Sequence, residues 1–182
     1  MINSKSDLYN YINADVEARL NGNKDNFLQR VSKYRRFLFF LRKCEYYYNY
    51  KKGVIGKAGY LFYKFRYRRI GEKCGWDIPI NVLGPGACIV HKGTVVINGN
   101  CKIGSNCRIH VCVNIGANKD RKEAPVIGNN VYIGPGAKIF GGITIADNIS
   151  IGANAVVNKS FTQAGITIAG VPAIVISKLD QC

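Results

Sequence analysis

The chain has 182 residues, 47% of them hydrophobic and 20% charged, with a formal net charge of +15 at pH 7. That composition can bury a core in one or two small domains and excludes a disordered or collagen-like chain. Twenty glycines against five prolines point to recurring tight turns rather than a low-complexity tract.

The charge is uneven: residues 1–76 carry 17 Lys and Arg against 6 Asp and Glu, and residues 77–182 carry 9 against 5. Residues 4–45 read as helical. Ser4 or Ser6 caps a first segment with the stripe Leu8, Tyr11, Ile12, Val16 and Leu20, closed by Asn21-Gly22-Asn23. A second helix is predicted from about Asn26, with Phe27, Leu28, Val31, Tyr34, Leu38 and Leu41 on one face, and a third around residues 55–70. Residues 30–73 hold 14 Lys and Arg against Glu45 and Glu72, with 13 of the chain's 20 aromatic residues. Such helices either pack through their aromatics behind a solvated basic face or make a peripheral contact with a membrane. No nucleic-acid-binding pattern accompanies the charge, so no nucleic-acid partner is expected. No run approaches the roughly 18 apolar residues of a membrane span, and the first residues lack a signal-peptide pattern. A cytoplasmic protein is expected, with the inner face of the membrane as the place where the basic half would meet lipid.

From Val95 the pattern changes. Ile97, Ile103, Ile109, Ile115, Ile127, Ile133, Ile139, Ile145, Ile151 and Val157 keep one six-residue register. Four residues after most of them stands a small or β-branched residue (Cys101, Cys107, Val113, Val131, Ala137, Ile143, Ile149, Ala155), and Gly104, Gly116, Gly128, Gly134 and Gly152 directly follow an isoleucine. Neither the helical period of 3.6 nor the strand period of 2 fits. A six-residue repeat is the mark of a β-helix, three units making one triangular coil. Cys101 and Cys107 then fill a stacked core. The seven cysteines, odd in number and without a C-x-x-C pair, indicate neither a disulfide framework nor a metal site. The expected fold is mainly β: an α-helical domain over residues 1–74, then a β-helix over 75–182.

The runs Val131-Tyr132-Ile133-Gly134-Pro135-Gly136-Ala137-Lys138-Ile139, Ile151-Gly152-Ala153-Asn154-Ala155-Val156-Val157 and Ala169-Gly170-Val171-Pro172-Ala173 resemble the hexapeptide-repeat acyltransferases. The resemblance implies a left-handed β-helix. The order of helical domain, Asp77-Ile78-Pro79, Gly84-Pro85-Gly86, His91, then Ile109 to Gly116 is similar to serine acetyltransferases and to their relatives in capsular and exopolysaccharide gene sets. It implies acetyl-CoA as acyl donor.

Transfer to a hydroxyl needs a base, and imidazole suits neutral pH. His91 and His110 are the two histidines. By the resemblance, His91 matches the catalytic histidine and Asp77 the aspartate that fixes its tautomer, one residue closer than is usual in the serine enzymes. Counting back six from Ile97 lands on His91, an inward position, unless the Gly84-Pro85-Gly86 turn or Gly93 widens the coil. His110, about one coil further on, and Arg121 are candidates for binding the acceptor. The resemblance also implies that Gly116, Ala117, Ala137 and Ala153 line the pantetheine groove while Lys178 and Lys159 meet phosphate.

The stretch Ala117 to Pro125 interrupts the coil without breaking its register. In the family such a loop reaches over a neighbouring subunit, which implies a homotrimer, with the helical domain able to pair trimers into a hexamer. The serine enzymes place an aspartate before the catalytic histidine and an Arg-His pair before the loop proline. Val90 and Glu123-Ala124 stand here instead. The chain ends Asp180-Gln181-Cys182, without the isoleucine that engages cysteine synthase, so that partner is not expected. The expectation is an acetyl-CoA-dependent O-acetyltransferase acting on a sugar hydroxyl in capsule or exopolysaccharide assembly, with a glycan or small-molecule acceptor. Two alternatives stand beside it: a serine O-acetyltransferase of cysteine biosynthesis, and a non-catalytic β-helix scaffold.

Overall fold

A computed structural model describes residues 1–27, 31–118 and 123–178. Helix α1 (Lys5–Leu20) opens where the Asp7 N–H donates to Ser4 Oγ at 2.9 Å and closes at Asn21, which takes the left-handed conformation at φ 47°. Phe27 is helical, close to the predicted start at Asn26, but helix α2 (Lys33–Asn49) opens separately at the Ser32 cap. Of the predicted face, Leu38 and Leu41 are buried and Tyr34 packs against the core, Phe27 and Val31 are exposed, and Leu28 lies outside the described residues; Phe37 and Cys44 complete the inner face. Helix α3 (Gly53–Cys74) extends past the predicted span at both ends. It stops at Gly75, φ 81°, where a Cβ would lie 3.1 Å from the Gly93 backbone.

The remainder is a triangular coil of short parallel strands. One face stacks β1 (Trp76–Asp77), β3 (Val95–Ile97), β6 (Val113–Gly116), β9 (Lys138–Phe140) and β12 (Val156–Val157). A second stacks β4 (Lys102–Ile103), β7 (Val126–Ile127) and β10 (Thr144–Ile145), with Leu83 and Phe161 bridging onto its two ends. The third stacks β2 (Cys88–Ile89), β5 (Arg108–Ile109), β8 (Tyr132–Ile133), β11 (Ser150–Ile151) and β13 (Ile166–Ala169), and β14 (Ile174–Lys178) adds antiparallel to β13. Pairing brings identical layers into line, as in Ile89, Ile109, Ile133, Ile151 and Ile168 on the third face. Every residue of the six-residue register and every small residue four positions later is buried. A corner repeats as well: Asn106, Asn130 and Asn148 all have positive φ, and their side-chain amides hydrogen-bond one above the next.

The core runs without a break from helices to coil, because Trp76 packs against Phe37 at 5.1 Å and Tyr34 at 5.3 Å between ring centroids. Beside it lies a buried ionic cluster. Arg42 donates from Nε to Asp15 Oδ2 (2.9 Å), from Nη1 to Glu45 Oε2 (3.0 Å) and Leu83 O (2.8 Å), and from Nη2 to Asp15 Oδ1 (3.2 Å) and Gly84 O (2.6 Å). The carboxylates reach on to the Ala87 and Asn81 N–H groups. Burial opposes the charge on Arg42, but Asp15 and Glu45 outweigh it and hold the guanidinium protonated. All five guanidinium protons are therefore used to fasten α1 and α2 to the first turn of the coil.

Candidate active site

The first coil carries two residues more than the regular repeat. Ile89 and Ile97 are both inward yet eight residues apart, and the Ile89 to Ile109 step is two residues longer than the regular 18 between Ile97 and Ile115. The surplus forms a bend through Lys92 and Gly93, whose φ is 133°. Six-residue counting therefore fails here, and His91 is exposed on the outside rather than turned into the core.

The helices hold this bend in place. Arg19, in the last turn of α1, donates from Nη1 to the carbonyls of Ile89 and Val90, both at 3.2 Å, and its guanidinium lies 4.2 Å from the Tyr34 ring centroid. Tyr34 Oη in turn accepts from the Lys92 N–H at 3.1 Å. Two helical side chains thus bracket His91 from either side in sequence. His91 faces an open cavity of about 530 Å³ lined also by Arg19, Asn21, Ser32, Val90 and Arg108. Arg19, Tyr34 and Arg108 were not recognisable as site residues in the sequence, since nothing local reports contacts some 70 residues apart.

One coil further on, the His110 ring sits 5.9 Å from that of His91 and 5.0 Å from that of Tyr132. Burial, with Arg108 and then His91 adding to it, pushes the His110 pKa below the usual imidazole value. Its Nε2 is buried without a hydrogen-bond partner among the described residues.

The other expected site residues fall elsewhere. Asp77 is exposed on β1 and pairs in register with Val96, and among the described residues no hydrogen bond or ion pair joins it to His91. It borders a separate cavity with Tyr60, Lys64 and Arg68. Ala137 is fully buried in the stacked core, so the expectation that it lines a groove is corrected: it occupies the small inward position of its repeat. Gly116 and Ala117 stand at the corner where the chain leaves the first face, whereas Ala153 is exposed at the corner where it enters that face. On one chain these residues therefore flank a face rather than line a single groove. Lys159 is exposed with its Nζ 5.6 Å from the Phe161 ring centroid. Lys178 ends β14, its side chain lying outside the described residues, as does Arg121. Cys44, Cys74, Cys88, Cys101 and Cys107 are buried and Cys112 is exposed; burial raises the pKa of Cys44, Cys74, Cys101 and Cys107, and no metal-binding cluster occurs among the described residues.

Comparison with known proteins agrees with this architecture. Residues 124–159 match the family described as bacterial transferase hexapeptide (six repeats). A serine acetyltransferase of Staphylococcus xylosus is 42% identical over 92 residues, covering 50% of this chain and 42% of that one. The chain thus spans less than half the length of that curated relative. Among solved structures, serine acetyltransferase of Brucella abortus in complex with coenzyme A superimposes with a TM-score of 0.79 at 24% identity, over 98% of this chain and 71% of that one. Serine acetyltransferase of Neisseria gonorrhoeae in complex with serine gives a TM-score of 0.73 at 25% identity, over 96% and 71%. The fold is the left-handed β-helix with an N-terminal helical region. The comparisons overturn the expected sugar acceptor and the expected place beside capsular enzymes, because these relatives are named serine acetyltransferases.

Proposed function

We propose that the chain is an acetyl-CoA-dependent O-acetyltransferase acting on the hydroxyl of L-serine, with His91 as general base. The observation that carries this reading is the exposed His91 on a lengthened first coil, bracketed by Arg19 and Tyr34 and opening on a cationic cavity. His91 takes the hydroxyl proton as the oxygen attacks the thioester carbonyl. The tetrahedral intermediate collapses by breaking the carbon–sulfur bond, and the leaving thiolate recovers that proton from the imidazolium. Arg108, on the cavity wall, is the partner for the serine carboxylate. Val90 has an aliphatic side chain and offers no charge there, and its N–H is already bound to Ile109 O.

The donor has room on the coil surface. A Cβ at Gly116 would meet nothing nearer than Asn114 Oδ1 at 3.6 Å, and Ala153 is exposed. The extended pantetheine arm suits such small outward residues, and Lys159 offers a cation to its phosphates.

The test is thiol release from acetyl-CoA by the purified protein with and without L-serine. Serine-dependent release is expected, and His91→Ala should lower it by about 10²- to 10⁴-fold with an unchanged melting temperature, since the side chain is exposed. Arg108→Ala should raise KM for serine more than it lowers kcat. Release that ignores serine, or persists in His91→Ala, overturns the reading.

A further inference from the structure

The outer side of α3 presents an apolar stripe to solvent. Val54, Leu61 and Phe65 recur at helical spacing along it with Ile55 and Phe62 beside them, and all five are between 54% and 83% exposed. Cations border the stripe on both sides, Lys57, Lys64 and Arg68 on one and Arg66 on the other, where it lies 5.8 Å from the Phe62 ring centroid, while Arg69 and Lys73 continue its line past Phe65; Glu72 is the sole acid of the helix. Several of these cations lie over neighbouring rings, Lys64 over Tyr60 at 5.1 Å and Arg69 over Phe65 at 5.8 Å, which seats their stems at the apolar surface with charge at its edge. The opposite side of the helix is already used, Tyr67, Gly71 and Cys74 packing inward.

From this arrangement we infer that α3 is a membrane-surface helix that lies flat on an anionic lipid bilayer, with the Val54–Leu61–Phe65 stripe in the acyl boundary and its flanking cations on the headgroups. An apolar stripe between rows of Lys and Arg is the pattern that combines insertion with attraction to acidic lipid. The stripe from Val54 to Phe65 would lay about 17 Å of apolar surface along the bilayer. It would lie on the bilayer rather than cross it, since no helix among the described residues is long and apolar enough to span one. Charge argues against a second copy as occupant: two such helices would bring twelve cations against two carboxylates. A nucleic acid would satisfy the cations but leave the stripe in water. The inference is independent of the acceptor proposed above.

The test uses the full chain with vesicles of phosphatidylcholine alone and of phosphatidylcholine with phosphatidylglycerol, at low and near-physiological salt. Co-sedimentation with the anionic vesicles alone is expected, weakening as salt rises. Leu61→Glu with Phe65→Glu should reduce the bound fraction about tenfold or more while thermal stability stays unchanged, both sites being exposed. Any of four results overturns the inference: no sedimentation with anionic vesicles at low salt, binding that the double variant retains, a sedimentation-velocity mass that the double variant halves, or tighter binding to a single-stranded oligonucleotide than to vesicles. Loss of vesicle binding with intact thiol release separates this surface from the reaction.

Discussion

His110 shows how one environment sets a proton's behaviour. Its pKa in the folded chain lies below the ordinary imidazole value of 6.5, first because of burial and then because of Arg108 and His91. The unfolded chain therefore binds the proton more tightly, and stability rises with pH through that window. The contribution is fully present above about pH 6.5 and is lost as pH falls toward the depressed folded value. Replacing His110 with Gln should flatten the pH dependence of the urea midpoint between pH 7 and pH 5, which denaturation at a series of pH values would reveal. An unaltered slope would mean that the ring is hydrated in solution. That His110 stands near His91 could be suspected from its lying about one coil further on; its contact with Tyr132 could not, because the 22-residue step between them includes the interrupting stretch after Ala117.

Between elements, the Arg42 cluster carries the greatest local consequence. Asp15, Arg42 and Glu45 come from two helices and serve carbonyl and N–H groups of residues 81–87, all of them removed from water. Taking away one partner leaves a charge buried without its counterion, which typically costs about 3–5 kcal/mol. Asp15→Ala should destabilise the chain by that amount in chemical denaturation, whereas removal of the exposed Lys57 should change it by less than about 0.5 kcal/mol. Inside the coil, Ile133 is fully buried between Ile109 and Ile151, so Ile133→Ala should cost about 2–5 kcal/mol through transfer and cavity terms. The apolar stripe of α1 gives no warning that the neighbouring Asp15 will meet a buried guanidinium 27 residues on.

For the molecule as one body, the single tryptophan reports on the joint between its two parts. Trp76 is buried between Phe37 and Tyr34 at the point where α3 passes into β1. Because the apolar core is continuous across that joint, tryptophan fluorescence and far-ultraviolet circular dichroism should lose their signals at one denaturant midpoint. Two separated midpoints would show that helices and coil unfold independently. If the chain assembles as hexapeptide coils commonly do, light scattering should give three times its 20.1 kDa mass.

The six-residue register made the coil legible from residues 95 to 157, because every layer of a β-helix demands the same inward residue and the demand repeats along the chain. Helix α1 was legible for the same local reason, its cap and stop lying within a few residues of its ends. The outward turn of His91 and the burial of Arg42 were not. Both depend on partners 27 or more residues distant: Tyr34 and Arg19 reach the bend at 89–92, and Arg42 meets Asp15 and Leu83. A two-residue surplus in one coil has no periodic signature, yet it moves His91 from the core to the surface. Repetition writes the scaffold into the chain, while the site lies where repetition lapses and long-range packing decides which way a side chain points.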